Sequence, residues 1–380
     1  MSARMGGRIS RRTFMRSSAA GLGAASITGL TSACTSPARG SESSAGRGLA
    51  DVVFEAFKTH RLVGVAETDD SLQNHHDVLT MLLTDPRLPE VVDDIVVEFG
   101  NALYQGTVDR FIAGQPVDDA ELRLAWRNTT ASPLETWDAP VYEQLYRTVR
   151  AVNWPLPPGR QVRVLLGDPP IDWSKITKAS EIDVFGLQRD AYPASVVEKE
   201  VLDKGHRALI CYSWWHLLHS FPHRLVDIIE QRTGERTYTI ADLVPLSGDP
   251  GGLATELARY ARDTVIPTAG TWLGSFDAGL IPPSVQGGGP TTKDTNPWCG
   301  TRLGSLIDAG LYEGQPGDLT ISLPNPAIYL DPAYWKELKR RNALQGNLVD
   351  LDSYRKEQPA RYPLLKVARS QECGRAPQAS

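Results

Sequence analysis

The feature that most constrains the fold is a regular alternation of short apolar runs with longer amphipathic patterns. Runs rich in β-branched and aliphatic residues occupy 61–67, 94–100, 162–168, 207–213, 236–242 and 319–323. Helical periodicity follows at 72–84, 101–113, 118–127, 138–152, 190–203, 221–232, 252–263 and 332–345. Near-continuous apolar runs are typical of strands covered on both faces, and their alternation with helices favours parallel pairing. The sequence therefore predicts an α/β fold, a mainly parallel sheet flanked by helices, with a helical insertion at about 101–160.

The first 33 residues differ in character from the rest of the chain. They contain five arginines and no acidic residue, and the pair Arg11-Arg12 precedes a stretch rich in alanine and glycine. This layout predicts a twin-arginine-type export signal, and the apolar stretch is too short and too glycine-rich to span a membrane. Cys34 follows Leu-Thr-Ser-Ala, which is similar to the lipobox of bacterial lipoproteins. We expect lipidated Cys34 to anchor the protein at the outer face of the cell membrane; the alternative is cleavage and secretion.

The remaining chain is expected to form one folded unit. Residues 34–48 are small and polar, as in a flexible tether, 49–350 form a single α/β domain, and 351–380 form a C-terminal tail. Beyond residue 33 the chain has 35 basic and 45 acidic residues without a basic patch, so nucleic acid is not expected as a partner. An exported protein can oxidise its cysteines, and a Cys299–Cys373 disulfide is one pairing that the sequence permits.

Ionisable residues stand where several predicted strands end. The first strand ends at Glu67, the second at Glu98 and the third at Asp168, and His216 follows the fourth. Ligands of open parallel sheets bind at the carboxyl ends of the strands. We therefore expect these groups to share one pocket, although acidic residues also end strands simply by meeting solvent.

The residue types suggest acid–base roles. Glu67 and Glu98, predicted on neighbouring strand ends, would form a carboxylate pair with one raised pKa, suited to proton transfer or to binding a cation. His75 and His76 open the helix after the first strand and should point to the same edge, unless His75 only covers that helix. His216 would act as a base, a proton shuttle or a ligand. His219 is expected on the surface of a helix.

Further residues are candidates for contacting a substrate. They are Asp69, Asn101, Asp168, Asp172, Trp214 and Trp215. Asp168 and Asp172 flank two prolines whose fixed backbone would hold a carboxylate still, although Asp172 is equally explained as a helix cap. The chain has no Gly-x-Ser-x-Gly elbow, phosphate-binding loop or dinucleotide fingerprint, and no residue is assigned as a metal ligand.

Three stretches resemble a known group of bacterial proteins. They are "RLVGVAETDDSLQNHHDVLTMLLTDPRLPEVVDDIVVEFGNALYQ", "VRVLLGDPPIDWSKI" and "RALICYSWWHL", and they are similar to the erythromycin esterase-like and ChaN/Tiki proteins. That group includes hydrolases of macrolide esters, metal-dependent proteases and haem-binding lipoproteins. The resemblance implies functional roles for Glu67, Glu98 and His216. The chain departs from the group at Asp69, where the motif places a histidine, and at Trp214-Trp215, where a glycine-rich turn is usual.

These observations predict an exported enzyme that acts on a small or medium-sized organic substrate by carboxylate and histidine chemistry. The resemblance makes hydrolysis of an ester or lactone the first expectation, and a cyclisation or rearrangement in natural-product biosynthesis the second. Neither reaction requires a cofactor. A lipoprotein that binds haem or a divalent metal, with His216 as ligand and Trp214 and Trp215 as an apolar wall, is the alternative. A catalytically inactive relative is the third reading.

Overall fold

The computed structural model describes residues 46–68, 70–134, 137–244, 249, 251–280 and 298–352. The predicted signal 1–33, Cys34, Asp69 and Cys373 lie outside the described residues. Among the helices of the described ranges, none is both long enough and apolar enough to cross a membrane.

The described residues form one eight-stranded sheet. Its strands are β1 (Arg47–Gly48), β2 (Leu62–Glu67), β3 (Asp94–Asn101), β4 (Arg163–Asp168), β5 (Ala208–Ser213), β6 (Thr237–Asp242), β7 (Thr264–Pro267) and β8 (Ala309–Tyr312). They are ordered β1-β7-β8-β6-β2-β5-β3-β4, and the pairs from β8 to β4 are all parallel, whereas β7 is antiparallel to its two neighbours. The predicted α/β class with a mainly parallel, helix-flanked sheet is confirmed.

Helices connect the strands. They are α1 (Leu49–Ala56), α2 (Gln73–Leu83), α3 (Leu88–Val91), α4 (Gln105–Ile112), α5 (Asp119–Leu122), α6 (Leu124–Arg127), α7 (Pro140–Asn153), α8 (Ala179–Gly186), α9 (Ala191–Val196), α10 (Trp214–Leu217), α11 (Leu225–Thr233), α12 (Leu253–Leu257) and α13 (Pro332–Leu344). A π-helical segment, Val197–Leu202, continues α9. The segment 101–160, expected as an insertion, carries α4 to α7.

Strand alternation divides the apolar core between the two faces of the sheet. Val63 and Val65 of β2 face the layer that contains α1, α2 and α4 to α7. Leu62 and Ala66 of the same strand face the layer that contains α9 to α12. The sheet is therefore covered on both sides, which explains why its central strands are almost entirely apolar. The helices of 101–160 pack on the sheet rather than standing apart as a cap.

Several sequence-based boundaries were wrong. The strand predicted at 319–323 is only an isolated bridge between Leu72 and Ile321. Both backbone groups of Thr320 are used by the start of α2: its oxygen accepts from the N–H of Gln73, and its N–H donates to the side chain of Asn74. Strands β7 and β8 were missed, since four residues are too few to establish a period-two pattern. The predicted tether also extended too far, because Arg47–Gly48 pairs with β7. Cys299 is disulfide-bonded, and Cys211 is free and buried.

Gly167 marks a close approach between β4 and β5. A Cβ atom at this position would lie 1.7 Å from the Tyr212 hydroxyl oxygen and 3.0 Å from the backbone oxygen of Val97. Only a residue without a side chain fits between these groups. Gly167 thereby allows Tyr212 to reach the end of the sheet beside Asp168.

We expect Gly167→Ala to lower the free energy of unfolding by about 1–3 kcal/mol, because the added methyl group overpacks this contact. The matched control is Gly106→Ala in α4, where a Cβ atom would meet nothing within 4 Å and a helical alanine is favoured by roughly 0.5–1 kcal/mol. Urea denaturation midpoints measure both changes. Equal stabilities for the two variants would contradict the packing argument.

Candidate functional site

Strand β5 brings the predicted site residues to one edge of the sheet. It lies between β2 and β3 and pairs in parallel with both, so that Glu67 stands opposite Ser213 and Val97 opposite Cys211. Glu67 and Glu98 therefore lie on strands that are separated by β5, whereas the sequence had suggested neighbouring strands. The chain fills the gap only when it returns with β5, a long-range pairing that sequence order does not reveal.

A narrow pocket opens at this edge. Its lining residues are Val65, Glu67, His75, His76, Leu79, Glu98, Phe99, Trp137, Cys211, Tyr212 and Ser213. The free volume is about 10 Å³, which is room for roughly one water molecule. Three of the four residues predicted to be catalytic, Glu67, Glu98 and His75, line this pocket together. The fourth, His216, lies directly behind Glu98.

Glu98 is buried and surrounded by donors. Its Oε1 lies 2.5 Å from Arg189 Nη2 and 3.4 Å from His216 Nε2. Its Oε2 accepts hydrogen bonds of 2.8 Å from both the backbone N–H and the hydroxyl of Ser213. Burial alone would raise the pKa of Glu98, but His216 and Arg189 together with these hydrogen bonds hold it well below its ordinary value. The raised pKa expected from a carboxylate pair is therefore wrong for Glu98, which is held as an anion.

His216 is clamped between two carboxylates. Its Nδ1 lies 2.5 Å from Asp190 Oδ1, opposite the contact of its Nε2 with Glu98. Asp190 in turn accepts from the backbone N–H of Leu225 and pairs with Arg224 at 3.2 Å. Burial opposes the charge of His216, but Glu98 and Asp190 outweigh it and raise the pKa from 6.5 to about 9. His216 is therefore a cation at neutral pH.

Glu67 has a different environment on the other side of β5. Its Oε1 accepts a hydrogen bond of 3.1 Å from the backbone N–H of Leu72 and lies 3.0 Å from His76 Nε2. The His76 ring packs edge-on against Tyr142, whose hydroxyl accepts from the backbone N–H of Ser71. The Glu67 carboxylate is thus held by a histidine and an amide, without the arginine that fixes Glu98.

His75 turns away from Glu67 towards the ends of β6 and β8. Its Nδ1 lies 3.3 Å from Glu313 Oε1 and 3.8 Å from Asp242 Oδ2. Burial, followed by mutual repulsion with other carboxylates, raises the pKa of both Asp242 and Glu313 well above their ordinary values. The two adjacent histidines therefore serve different clusters, because successive helical residues point about 100° apart.

Asp168 and Tyr212 add a polar layer behind Glu98. Asp168 is buried and accepts hydrogen bonds from the backbone N–H and the hydroxyl of Thr130. Burial raises its pKa to about 7, against the opposing charge of Arg189. The Tyr212 hydroxyl has no hydrogen-bond partner within the described residues. Burial, with the charges of Glu98 and Asp168, raises the pKa of this phenol well above 10, so it stays protonated.

Two predicted substrate-binding residues are used by the fold itself. Asn101 donates to the backbone oxygens of Asn128 and Ile171 and accepts from the N–H of Leu103. Asp172 caps a surface turn by accepting from Ser174 and pairs with Lys175 at 3.0 Å. Neither side chain lines the pocket, and Asp172 caps the turn at 173–175 rather than a helix, since the next helix begins at Ala179.

The two tryptophans lie away from the pocket. Trp214 is buried in a cluster of rings with Trp215, Phe221 and Trp298, whereas the aromatic residues at the pocket itself are Phe99, Trp137 and Tyr212. These two candidates for contacting a substrate do not line this pocket: Trp214 is buried in the core, and Trp215 is half-buried against it. His219 was also misassigned to the surface: it is buried, 2.9 Å from Asp308 Oδ2 and 3.2 Å from Glu230 Oε1.

Sequence reasoning missed several residues of the site. They are Ser213, Arg189, Asp190, Asp242 and Glu313. Asp242 and Glu313 carried a usable signal, because each follows an apolar run as Glu67 does. Arg189 and Asp190 precede α9 in a polar stretch and carried none, since only the packing of α9 on the sheet brings them to Glu98.

Comparisons with known proteins do not identify the function. No protein-family model matches the chain, and no curated protein matches it. A solved structure of a Bacillus cereus protein is similar over 70% of this chain and 90% of that chain, with 12% identity and a TM-score of 0.49. Two structures described as bacterial protein toxins are 16% and 14% identical, each with a TM-score of 0.34. They align with 53% and 52% of this chain and 38% of their own. Scores this low carry no functional argument.

The raised pKa of His216 predicts how stability changes with pH. The charged form is favoured by folding, so its contribution is complete below pH 6.5 and is lost as the pH rises through about 9. The free-energy difference between the wild type and His216→Asn should therefore shrink by about 3 kcal/mol from pH 6.5 to pH 10.

Denaturant titrations across this pH range measure the difference. His223→Asn is the matched control, because His223 is an exposed histidine in a left-handed backbone conformation that asparagine tolerates. A difference that does not change with pH for His216→Asn would show that the charge of His216 does not support the fold.

Proposed function

We propose that this protein is an enzyme that hydrolyses an ester or lactone of a small or medium-sized organic substrate by acid–base catalysis. The supporting observation is that Glu67 and Glu98 line one pocket but have opposed environments. The negative charge of Glu98 is balanced by His216 and Arg189, whereas Glu67 contacts a histidine and one backbone amide. Carboxylates that share a site but differ in environment are suited to different roles in proton transfer.

Glu67 and His76 are the proposed base. A water molecule in the pocket would transfer a proton to this pair as its oxygen attacks the acyl carbon. The same proton would then pass to the alkoxide that leaves when the tetrahedral intermediate collapses. A pocket with room for about one water molecule is consistent with this role. The rest of the substrate would lie outside this narrow cleft.

Tyr212 is the proposed donor to the developing oxyanion. Its protonated hydroxyl has no partner within the described residues, and Tyr212 is among the residues that line the pocket. A donor that is already positioned stabilises charge in the transition state without reorganisation. Glu98, His216 and Asp190 then act as positioning residues, since their ion pairs fix the end of β5 from which Tyr212 and Ser213 project.

The surroundings of His216 do not favour the haem-binding alternative. Both ring nitrogens face carboxylates, Asp190 on one side and Glu98 on the other. A histidine must present a free nitrogen to bind haem iron. Trp214, one of the two residues proposed as an apolar wall, is buried in the core, and the ring that packs edge-on against His216 is that of Tyr212.

The proposed location follows from the N-terminal sequence alone. We propose that the twin-arginine signal exports the folded chain and that Cys34 anchors it to the outer face of the membrane. The substrate would then be met outside the cytoplasm. Membrane fractionation of Cys34→Ala, which should release the protein into the soluble fraction, tests the anchor.

Glu67→Gln should lower kcat/KM for ester or lactone hydrolysis about 100-fold or more, because the amide cannot accept the proton from water. The measurement is hydrolysis by the full chain of a panel of aryl esters, aliphatic esters and lactones. Unfolding midpoints of the variant should show that the fold is retained.

Glu55→Gln is the matched control, because Glu55 is an exposed glutamate on α1 that forms an ion pair with Lys58. This variant should hydrolyse the panel like the wild type. Activity of Glu67→Gln equal to that of the control would exclude Glu67 as the base. A wild-type protein inactive on every ester and lactone would contradict the proposed reaction.

A further inference from the structure

A second cluster of buried ionisable atoms lies beside the pocket. It combines His75 Nδ1 from α2, Asp242 Oδ2 from the end of β6 and Glu313 Oε1 from the residue after β8. These three atoms lie within 4.8 Å of one another. Each side chain is nearly inaccessible, with residue exposures of 2% for His75, 1% for Asp242 and 2% for Glu313.

The three atoms face one another without forming a hydrogen bond. Within the described ranges, His75 Nδ1, Asp242 Oδ2 and Glu313 Oε1 all lack a hydrogen-bond partner. The other oxygen of Asp242, Oδ1, accepts from the backbone N–H of Thr68 at 2.6 Å, which fixes the direction of the carboxylate. Leaving three polar atoms buried and unpaired is costly unless something binds between them.

The surrounding charge is negative. Glu313 is repelled by Glu67, Asp263 and Asp77, and none of the main influences on its charge comes from a cation. This contrasts with Glu98, which is balanced by Arg189 and His216. His75 is the one side chain of the cluster that could carry a positive charge, so its two carboxyl groups require either protons or a bound cation.

We propose that His75, Asp242 and Glu313 bind a divalent transition-metal ion of the zinc or manganese type. Imidazole nitrogen with carboxylate oxygen is a ligand set for such ions. Ligands bound tetrahedrally to zinc at about 2.0–2.2 Å lie about 3.3–3.6 Å apart. The separations of 3.3 Å and 3.8 Å from His75 Nδ1 are close to that spacing.

Three protein ligands leave a coordination position for water or another small ligand, as in catalytic rather than structural zinc sites. Because His75 also lines the pocket, the ion would lie next to Glu67. The binding site does not depend on the proposed hydrolysis, since it rests on the contacts of the cluster alone. Metal binding and hydrolytic activity can therefore be tested separately.

The experiment measures metal binding by the full chain after treatment with EDTA and dialysis. Zinc and manganese are titrated separately, and bound metal is counted by elemental mass spectrometry. We expect one equivalent of at least one ion, with a Tm rise of about 5 °C at a hundredfold excess over Kd. Glu313→Gln and Asp242→Asn should each weaken binding about 100-fold or more.

A second readout distinguishes ligands from merely structural residues. Glu313→Gln removes a buried carboxyl group that lies near other acidic side chains, so its metal-free Tm should be no lower than that of the metal-free wild type, while the rise caused by metal disappears. Asp308→Asn is the matched control, because Asp308 contacts His219 in a separate buried cluster. It should retain wild-type metal affinity.

Several outcomes would overturn the proposal. One is that the wild type binds neither zinc nor manganese, or binds magnesium alone. Another is that Glu313→Gln and Asp242→Asn keep wild-type affinity. If both variants fail to fold, anomalous scattering from zinc- or manganese-soaked wild-type crystals decides, since a peak between the three side chains supports the site and its absence excludes it.

Discussion

The hydrogen-bonded pairing of β5 with β2 on one side and β3 on the other is the constraint on which the site depends. It places Ser213 opposite Glu67 in the parallel register, while Ser213 donates two hydrogen bonds to Glu98. One residue thus connects the two carboxylates of the pocket. A shift of β5 by one residue would move the side chain of Ser213 to the other face of the sheet. Both of its hydrogen bonds to Glu98 would then be lost.

Charge is distributed unevenly along the carboxyl edge of the sheet. At the β3 end, Arg189 and His216 compensate Glu98 and Asp190. At the β6 and β8 end, Asp242 and Glu313 face a single histidine. Glu67 stands between these regions and influences Asp242 and Glu313 through its charge. The edge therefore offers a preformed ion-pair network and, next to it, a cluster that lacks positive charge.

The sequence was most informative for the central strands. The runs at 61–67, 94–100 and 162–168 were placed to within one residue of β2, β3 and β4, because strands covered on both faces are continuously apolar, although Glu98 lies within β3 rather than at its end. The short strands β7 and β8 were missed, and with β8 the position of Glu313. His75 and His76 were both expected at this edge, but sequence does not tell which of two adjacent helical residues faces a given strand end. In the structure His76 contacts Glu67, and His75 contacts Glu313. Trp214 and Trp215 were misplaced for the same reason.

The sequence by itself determined the α/β class and the side of the sheet on which ionisable residues would gather, since both follow from local periodicity and from the residue that ends each run. Tertiary structure alone decided the partners of each group. Strand order inserted β5 between Glu67 and Glu98, the packing of α9 brought Arg189 and Asp190 to Glu98 and His216, and β6 with β8 brought Asp242 and Glu313 to His75. These contacts join residues far apart in the chain, and their pKa values depend on burial and neighbouring charge, which exist only once the chain has folded.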